Sequence, residues 1–162
     1  MAARTAMTEV AEALLISQAS SRASVAAARA LFEDYGYFLH DALEPDRYAE
    51  EMTSLKARYP VILLAEVEGR PAGAVAVRPL EGEICEMKRL YCRPGFRGRG
   101  VGRALCERLF EESRVRGFAR MRLDTLERLG EAMALYRTLG FEKIAPYNET
   151  KLAGLVHMEK TL

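Results

Sequence analysis

The residues best suited to chemistry fall in one run, Tyr91-Cys92-Arg93-Pro94-Gly95-Phe96-Arg97-Gly98-Arg99-Gly100-Val101-Gly102-Arg103, which leaves a strand and opens a helix. Its four glycines let backbone approach a ligand closely, because no Cβ stands in the way. The amides of a first helical turn lack carbonyl partners within the helix and point at whatever lies before it. Such a helix start favours an anion by ~0.3–1 kcal/mol, and Arg97, Arg99 and Arg103 add positive charge at the same place. Diphosphate suits this geometry. Spacing argues against two common nucleotide loops. Gly95 and Gly100 stand at Walker spacing, but Val101 occupies the position of the phosphate-gripping lysine. A G-x-G-x-x-G fingerprint starting at Gly98 fails at Arg103, and the strands before it form a meander, not a βαβ unit.

Other reactive side chains are sparse. Cys85, Cys92 and Cys106 make an odd count with no C-x-x-C pair, and His40 and His157 lie far from them in sequence. This pattern suits neither a disulfide framework nor a metal site, and it predicts a reducing, cytoplasmic setting. Cysteines on buried strands behave as small hydrophobes, so none of the three is read as a covalent nucleophile. The two histidines have no identifiable partner. Tyr136 lies on an amphipathic stretch, where an aromatic residue is ordinarily core. Glu86 shares its strand with Lys88 and Arg89, either of which could pair with it.

Composition narrows the classes further. With 24 basic and 23 acidic residues the formal net charge is +1, which gives no broad footprint for nucleic acid. The arginines from Arg116 to Arg122, with Arg128, read as a solvated face. Val10 to Ile16 is interrupted by Glu12 and too short to span a bilayer, so no membrane anchor is legible. A single domain over residues 1–162 is expected, with about the first 11 residues disordered.

The elements that must position the loop follow from periodicity. Leu14 to Gln18 reads as a strand; Ser20-Ser21 caps a helix over Ala23 to Phe38, and Asp46 to Tyr59 is helical up to Pro60. Val61–Val67, Ala72–Val77 and Ile84–Cys92 are three strands of an antiparallel meander, turned at Glu68-Gly69-Arg70-Pro71 and Glu81-Gly82. Val101, Ala104, Leu105, Leu109 and Phe110 recur at helical spacing up to about Arg116. Ala119, Met121, Leu123 and Thr125 alternate with polar residues as a half-buried strand. A helix over Gly130 to Leu139 presents Ala132, Leu135, Tyr136 and Leu139 on one side, and Leu155 to Thr161 closes the chain as a strand. A mixed α/β fold around one sheet results, in the order β-α-α-β-β-β-α-β-α followed by one or two final strands.

Arg97, Gly100 and Gly102 satisfy the pattern Arg/Gln-x-x-Gly-x-Gly/Ala, and Ala132-x-x-Leu135-Tyr136-Arg137-x-x-Gly140-Phe141 follows at matching distance. With these two motifs the chain, from about Leu14 to Leu162, resembles the GNAT superfamily of acetyl-CoA-dependent N-acetyltransferases. The resemblance implies a central, mostly antiparallel sheet flanked by helices, and transfer of acetyl from acetyl-CoA to a primary amine. It places Leu90, Tyr91 and Cys92 on the pantetheine arm. The loop Arg97, Gly98, Arg99, Gly100, Val101, Gly102 and Arg103 would take the pyrophosphate, with Ala132 beside the cofactor. It makes Tyr136 the acid for the departing thiolate and Glu86 the candidate base. The implied partners are a small-molecule or peptide amine and a second copy of the chain, with no nucleic acid, membrane or metal. Tyr35, Tyr37, Phe38, Tyr147 and Asn148 fall where the family recognises its acceptor. The chain departs from the family at Leu129, where an asparagine is frequent. A non-catalytic acyl-CoA sensor is the alternative.

Overall fold

The computed structural model describes residues 13–162, so the expectation for the first 11 residues lies outside the described part. Its strands are β1 (Leu14–Gln18), β2 (Val61–Val67), β3 (Arg70–Glu81), β4 (Ile84–Cys92), β5 (Arg120–Leu126), β6 (Glu142–Ile144) and β7 (Leu155–Thr161). Its helices are α1 (Arg22–Phe38), α2 (Pro45–Thr53), α3 (Leu55–Arg58), α4 (Val101–Val115) and α5 (Gly130–Thr138), with a 3-10 turn at Pro94–Phe96.

The strands form one seven-stranded sheet in the order β1-β2-β3-β4-β5-β7-β6. All neighbours are antiparallel except β4 and β5. Strand β2 is apolar at every position but Glu66 because both faces of the sheet are covered. Val61, Leu63, Ala65 and Val67 pack with Leu105 and Leu109 of α4 on one face. Ile62 and Leu64 pack with Leu31 and Phe32 of α1 on the other. No helix among the described residues is long and apolar enough to cross a membrane.

Local chemistry sets the helix ends. Ser21 Oγ accepts from the Ser24 amide at 3.1 Å while Ser24 Oγ accepts from the Ser21 amide at 3.0 Å, a reciprocal cap for α1. Pro45 opens α2, and Glu44 caps it by accepting from the amides of Asp46 (3.3 Å) and Arg47 (2.8 Å). The single helix expected from Asp46 to Tyr59 is two helices, broken at Ser54. Hydroxyls of Thr53 and Ser54 both donate to the Glu50 carbonyl, at 2.7 and 3.2 Å, and the Ser54 amide turns to Glu51 instead. This competition is how Ser and Thr interrupt helices. The buried face of β5 is Met121, Leu123 and Thr125; Ala119 precedes the strand and is exposed.

Candidate active site

The glycine loop folds as its sequence requires. Gly98 and Gly100 both take φ 77°, a left-handed conformation that carries little penalty only without a Cβ. Nothing lies within 4 Å of where a Cβ would stand at either position, so the space before α4 is open. Gly100 is the N-cap of α4 and supplies no side-chain bond, and its carbonyl receives the Ala104 amide. The amides of Val101, Gly102 and Arg103 therefore have no carbonyl partner within the helix. Arg97 is held beside them by its bond from Nε to the Cys92 carbonyl (3.0 Å) and by the rings of Phe38 and Tyr91 at 5.5 and 5.7 Å.

A groove of about 660 Å³ runs from this loop between β4 and α5. Leu90, Tyr91, Cys92, Arg97, Gly98, Gly100, Val101, Gly102, Arg103 and Ala132 all line it, so the structure gathers ten predicted cofactor residues in one place. Arg99 lies off the groove wall, its guanidinium 5.6 Å from the Phe96 ring centre. The apolar side expected of α5 divides in two: Met133, Tyr136 and Leu139 are buried, while Ala132 and Leu135 face the groove.

The groove exists because the sheet splits. β4 and β5 pair only at Ile84, Cys85 and Glu86. Beyond that, β4 carries a bulge in which Arg89 and Leu90 oppose the single residue Val75 of β3. Arg89 takes φ 64°, a strained value for a bulky residue. It is held there by Glu51 of α2, which accepts at 2.9 Å from both Nε and Nη2, and by the Tyr48 ring at 4.9 Å. Burial pushes the Glu51 carboxyl up, but the Arg89 hydrogen bonds and charge more than offset it and hold Glu51 below its ordinary value.

At the split, a small space of about 50 Å³, the neck, shares wall residues both with the groove and with a pocket of about 300 Å³ on the α1/α2 side. Tyr35 and Leu129 line all three spaces. Leu129 is the N-cap of α5 and makes no side-chain cap bond, so the position where an asparagine is frequent becomes an apolar wall of the neck. Tyr136 lines the neck with its ring edge-on to Phe141 at 5.7 Å. Burial raises its phenol well above 10.0, so it is protonated at neutral pH.

Glu86 is only 1% exposed and lines none of these three spaces. Its Oε1 accepts from Arg78 at 2.8 Å and its Oε2 from the Tyr147 hydroxyl at 2.6 Å. Lys88, one of its two expected partners, is 4.0 Å away; Arg89, the other, pairs with Glu51. A carboxylate that the sequence reading passed over, Asp124, lines both neck and pocket. It belongs to a polar position of an alternating strand, and no motif marks it. Of the expected acceptor residues, Tyr35 lines the pocket, Phe38 lines the cofactor groove, and Tyr147 and Asn148 bond to Glu86 and Asp124.

A glycine-rich helix start, a split sheet and a buried tyrosine at the split together make the layout expected of an acyl-CoA-using transferase. The model of the acetyltransferase (GNAT) family matches residues 25–141, and the chain belongs to that family. It is 35% identical over 128 residues to an uncharacterised N-acetyltransferase of Schizosaccharomyces pombe, a match covering 78% of each chain. Over 84 residues it is 40% identical to the uncharacterised N-acetyltransferase YjgM of Escherichia coli, and there it spans half of each chain. An acetyltransferase structure from Streptococcus agalactiae shares the fold at TM-score 0.77 and 19% identity, over 92% of this chain and 98% of that one. The acetyltransferase yncA of Salmonella typhimurium, whose structure holds its cofactor acetyl-CoA, superposes at TM-score 0.67 and 25% identity, over 92% and 94%. The protein is accordingly an acyltransferase enzyme.

Proposed function

We propose that the protein transfers acetyl from acetyl-CoA directly to a primary amine of a small molecule or peptide. The observation that carries this reading is the neck at Tyr136, whose walls are shared with a groove suited to CoA and with a separate pocket suited to an acceptor. The free amides of Val101, Gly102 and Arg103 and the open left-handed glycines suit the pyrophosphate, with Arg97 and Arg103 balancing its charge. Leu90, Tyr91 and Cys92 lie on the edge of β4 that β5 has left, where their backbone is available to the pantetheine amides. Ala132 and Leu135 form the apolar wall opposite.

Tyr136 supplies the proton to the departing thiolate. Its phenol is raised by burial, and the same burial makes a thiolate there more basic: Cys92, on the groove wall, is pushed up to about 11. Cys85 is likewise pushed up to about 11 and Cys106 to about 12, so all three stay thiols at neutral pH. That favours direct transfer over an acyl-cysteine. Glu86, the expected base, has its oxygens engaged by Arg78 and Tyr147.

Calorimetric titration of acetyl-CoA, beside ATP and NAD at equal concentration, tests the reading. Binding of acetyl-CoA alone near micromolar strength, ~8 kcal/mol, followed by turnover on a panel of amines, is expected. Failure of acetyl-CoA to bind overturns it.

A further inference from the structure

We propose that Asp124 is the carboxylate that binds the acceptor's ammonium group and takes its proton, an inference that rests on the amine-acetylation reading above. Asp124 stands two residues beyond Arg122, the last residue of β5 paired with β4, so it borders the split. Its backbone stays fixed by pairing with His157 of β7. The side chain lines both the neck that holds Tyr136 and the acceptor pocket.

Its orientation is set from outside the pocket. Asn148 Nδ2 donates to Oδ2 at 2.8 Å, while among the described residues Oδ1 meets Lys88 Nζ alone, at 3.8 Å. At that distance the contact is an ion pair without a close hydrogen bond, and an incoming ammonium can compete for Oδ1. The neighbouring carboxylates are committed. Glu86 accepts from Arg78 and Tyr147, Glu51 is bidentate with Arg89, and Glu44 caps α2. Among the described residues around the neck, Asp124 combines an available oxygen with access to the reacting space. The groups facing it are Lys88 of β4, Asn148 and Tyr147 of the loop before β7, His157 of β7, Tyr35 of α1 and Tyr136 of α5.

The proton balance closes. The bound ammonium gives one proton to Asp124, and the freed amine nitrogen forms a bond to the acetyl carbonyl carbon. As the carbon–sulfur bond breaks, its electron pair leaves on sulfur, which takes the Tyr136 proton. The amide nitrogen releases its second proton and Tyr136 is reprotonated. The net products are acetamide, CoA thiol and one proton passed from Asp124 to water.

The test uses a primary amine on which the wild-type protein turns over, drawn from amino acids, their amides and arylalkylamines. For Asp124→Asn, kcat/KM for that amine is expected to fall ~10²–10⁴-fold at neutral pH, with acetyl-CoA Kd unchanged. Its rate should then climb about tenfold per pH unit toward the amine's pKa, where the wild-type profile is flat, because only free amine then reacts. Unchanged kcat/KM and a flat profile in Asp124→Asn, or the climbing profile in Glu86→Gln instead, overturns the assignment. If Asp124→Asn folds poorly, Asp124→Ala with added formate reads the same quantity: rescue that rises with formate supports the proposal, and no rescue overturns it. Wild-type protein that binds acetyl-CoA but acetylates no amine overturns the amine-acetylation reading itself, and this inference with it.

Discussion

The Tyr147 hydroxyl donates to Glu86 Oε2 at 2.6 Å across 61 residues of chain, tying the loop before β7 to the middle of β4. The Tyr147 ring is wedged edge-on against His157 at 4.9 Å and lies under the Arg122 guanidinium at 5.3 Å. Asn148, the next residue, bonds to Asp124. The loop before β7 is thus anchored to β4 and β5 through a buried polar junction.

Tyr147→Phe would leave Glu86 Oε2 without its donor at a site only 1% exposed. An unsatisfied buried acceptor costs about 1–3 kcal/mol, and each kcal/mol lowers Tm by about 2–4 °C at this chain length. Thermal unfolding should show that loss, and the acceptor KM should rise while acetyl-CoA Kd holds. An unaltered Tm would mean that the junction contributes nothing to the fold.

Tyr136→Phe removes the hydroxyl proposed as the proton donor and keeps the ring against Phe141. Turnover at saturating substrates should fall ~10²-fold or more, with acetyl-CoA affinity nearly intact. Equal kcat for the two proteins would remove Tyr136 from the acid role.

Gly100→Ala meets no steric obstacle, since nothing lies within 4 Å of the new Cβ, but it must hold φ 77°. That conformation costs an L-residue roughly 1–2 kcal/mol, so the free loop should relax and acetyl-CoA would have to restore it. Calorimetry should report a Kd raised about 5–30-fold. Unchanged affinity would show that the left-handed turn is not needed for binding.

Gly36→Ala acts on the other side of the sheet. A Cβ on Gly36 would stand 2.3 Å from Tyr48 Cε1, and the Tyr48 ring is held by its hydroxyl on the Phe32 carbonyl and by the Arg89 guanidinium. Overpacking of this kind costs about 1–3 kcal/mol. Denaturant unfolding of the variant should show a lower midpoint, and a wild-type midpoint would mean that Tyr48 moves freely.

The Glu51–Arg89 pair predicts an acid limb of stability. The folded-state value of Glu51 is held below its unfolded value, so its contribution is present above the unfolded value of about 4.5 and is lost as pH falls through the lower folded value. Wild-type stability should therefore drop in that acidic window, and Glu51→Gln should be less stable at neutral pH and flatter there. Parallel pH curves for the two proteins would remove Glu51 as a source of the acid limb.

Sequence alone determined the parts of this protein that are local. The glycine-rich turn into α4 was legible because glycines, arginines and a helix start are encoded within a few residues, from Arg97 to Arg103. Most elements were legible for the same reason: apolar spacing reports a strand or helix face directly, as in β2 and α4. Ser54 escaped because two hydroxyls compete for one carbonyl without any break in helical composition. Tertiary structure decided the reacting space. The split between β4 and β5 follows from where their pairing ends and from the bulge at Arg89, which Glu51 and Tyr48 stabilise from 38 and 41 positions away in the chain. Only that split turns Asp124 from a polar residue of an alternating strand into a wall of the neck, and makes Leu129 its apolar border. The resemblance pointed to Glu86 and left Asp124 unmarked; only the fold shows that Arg78 and Tyr147 occupy the oxygens of Glu86, while one oxygen of Asp124 meets Lys88 at 3.8 Å.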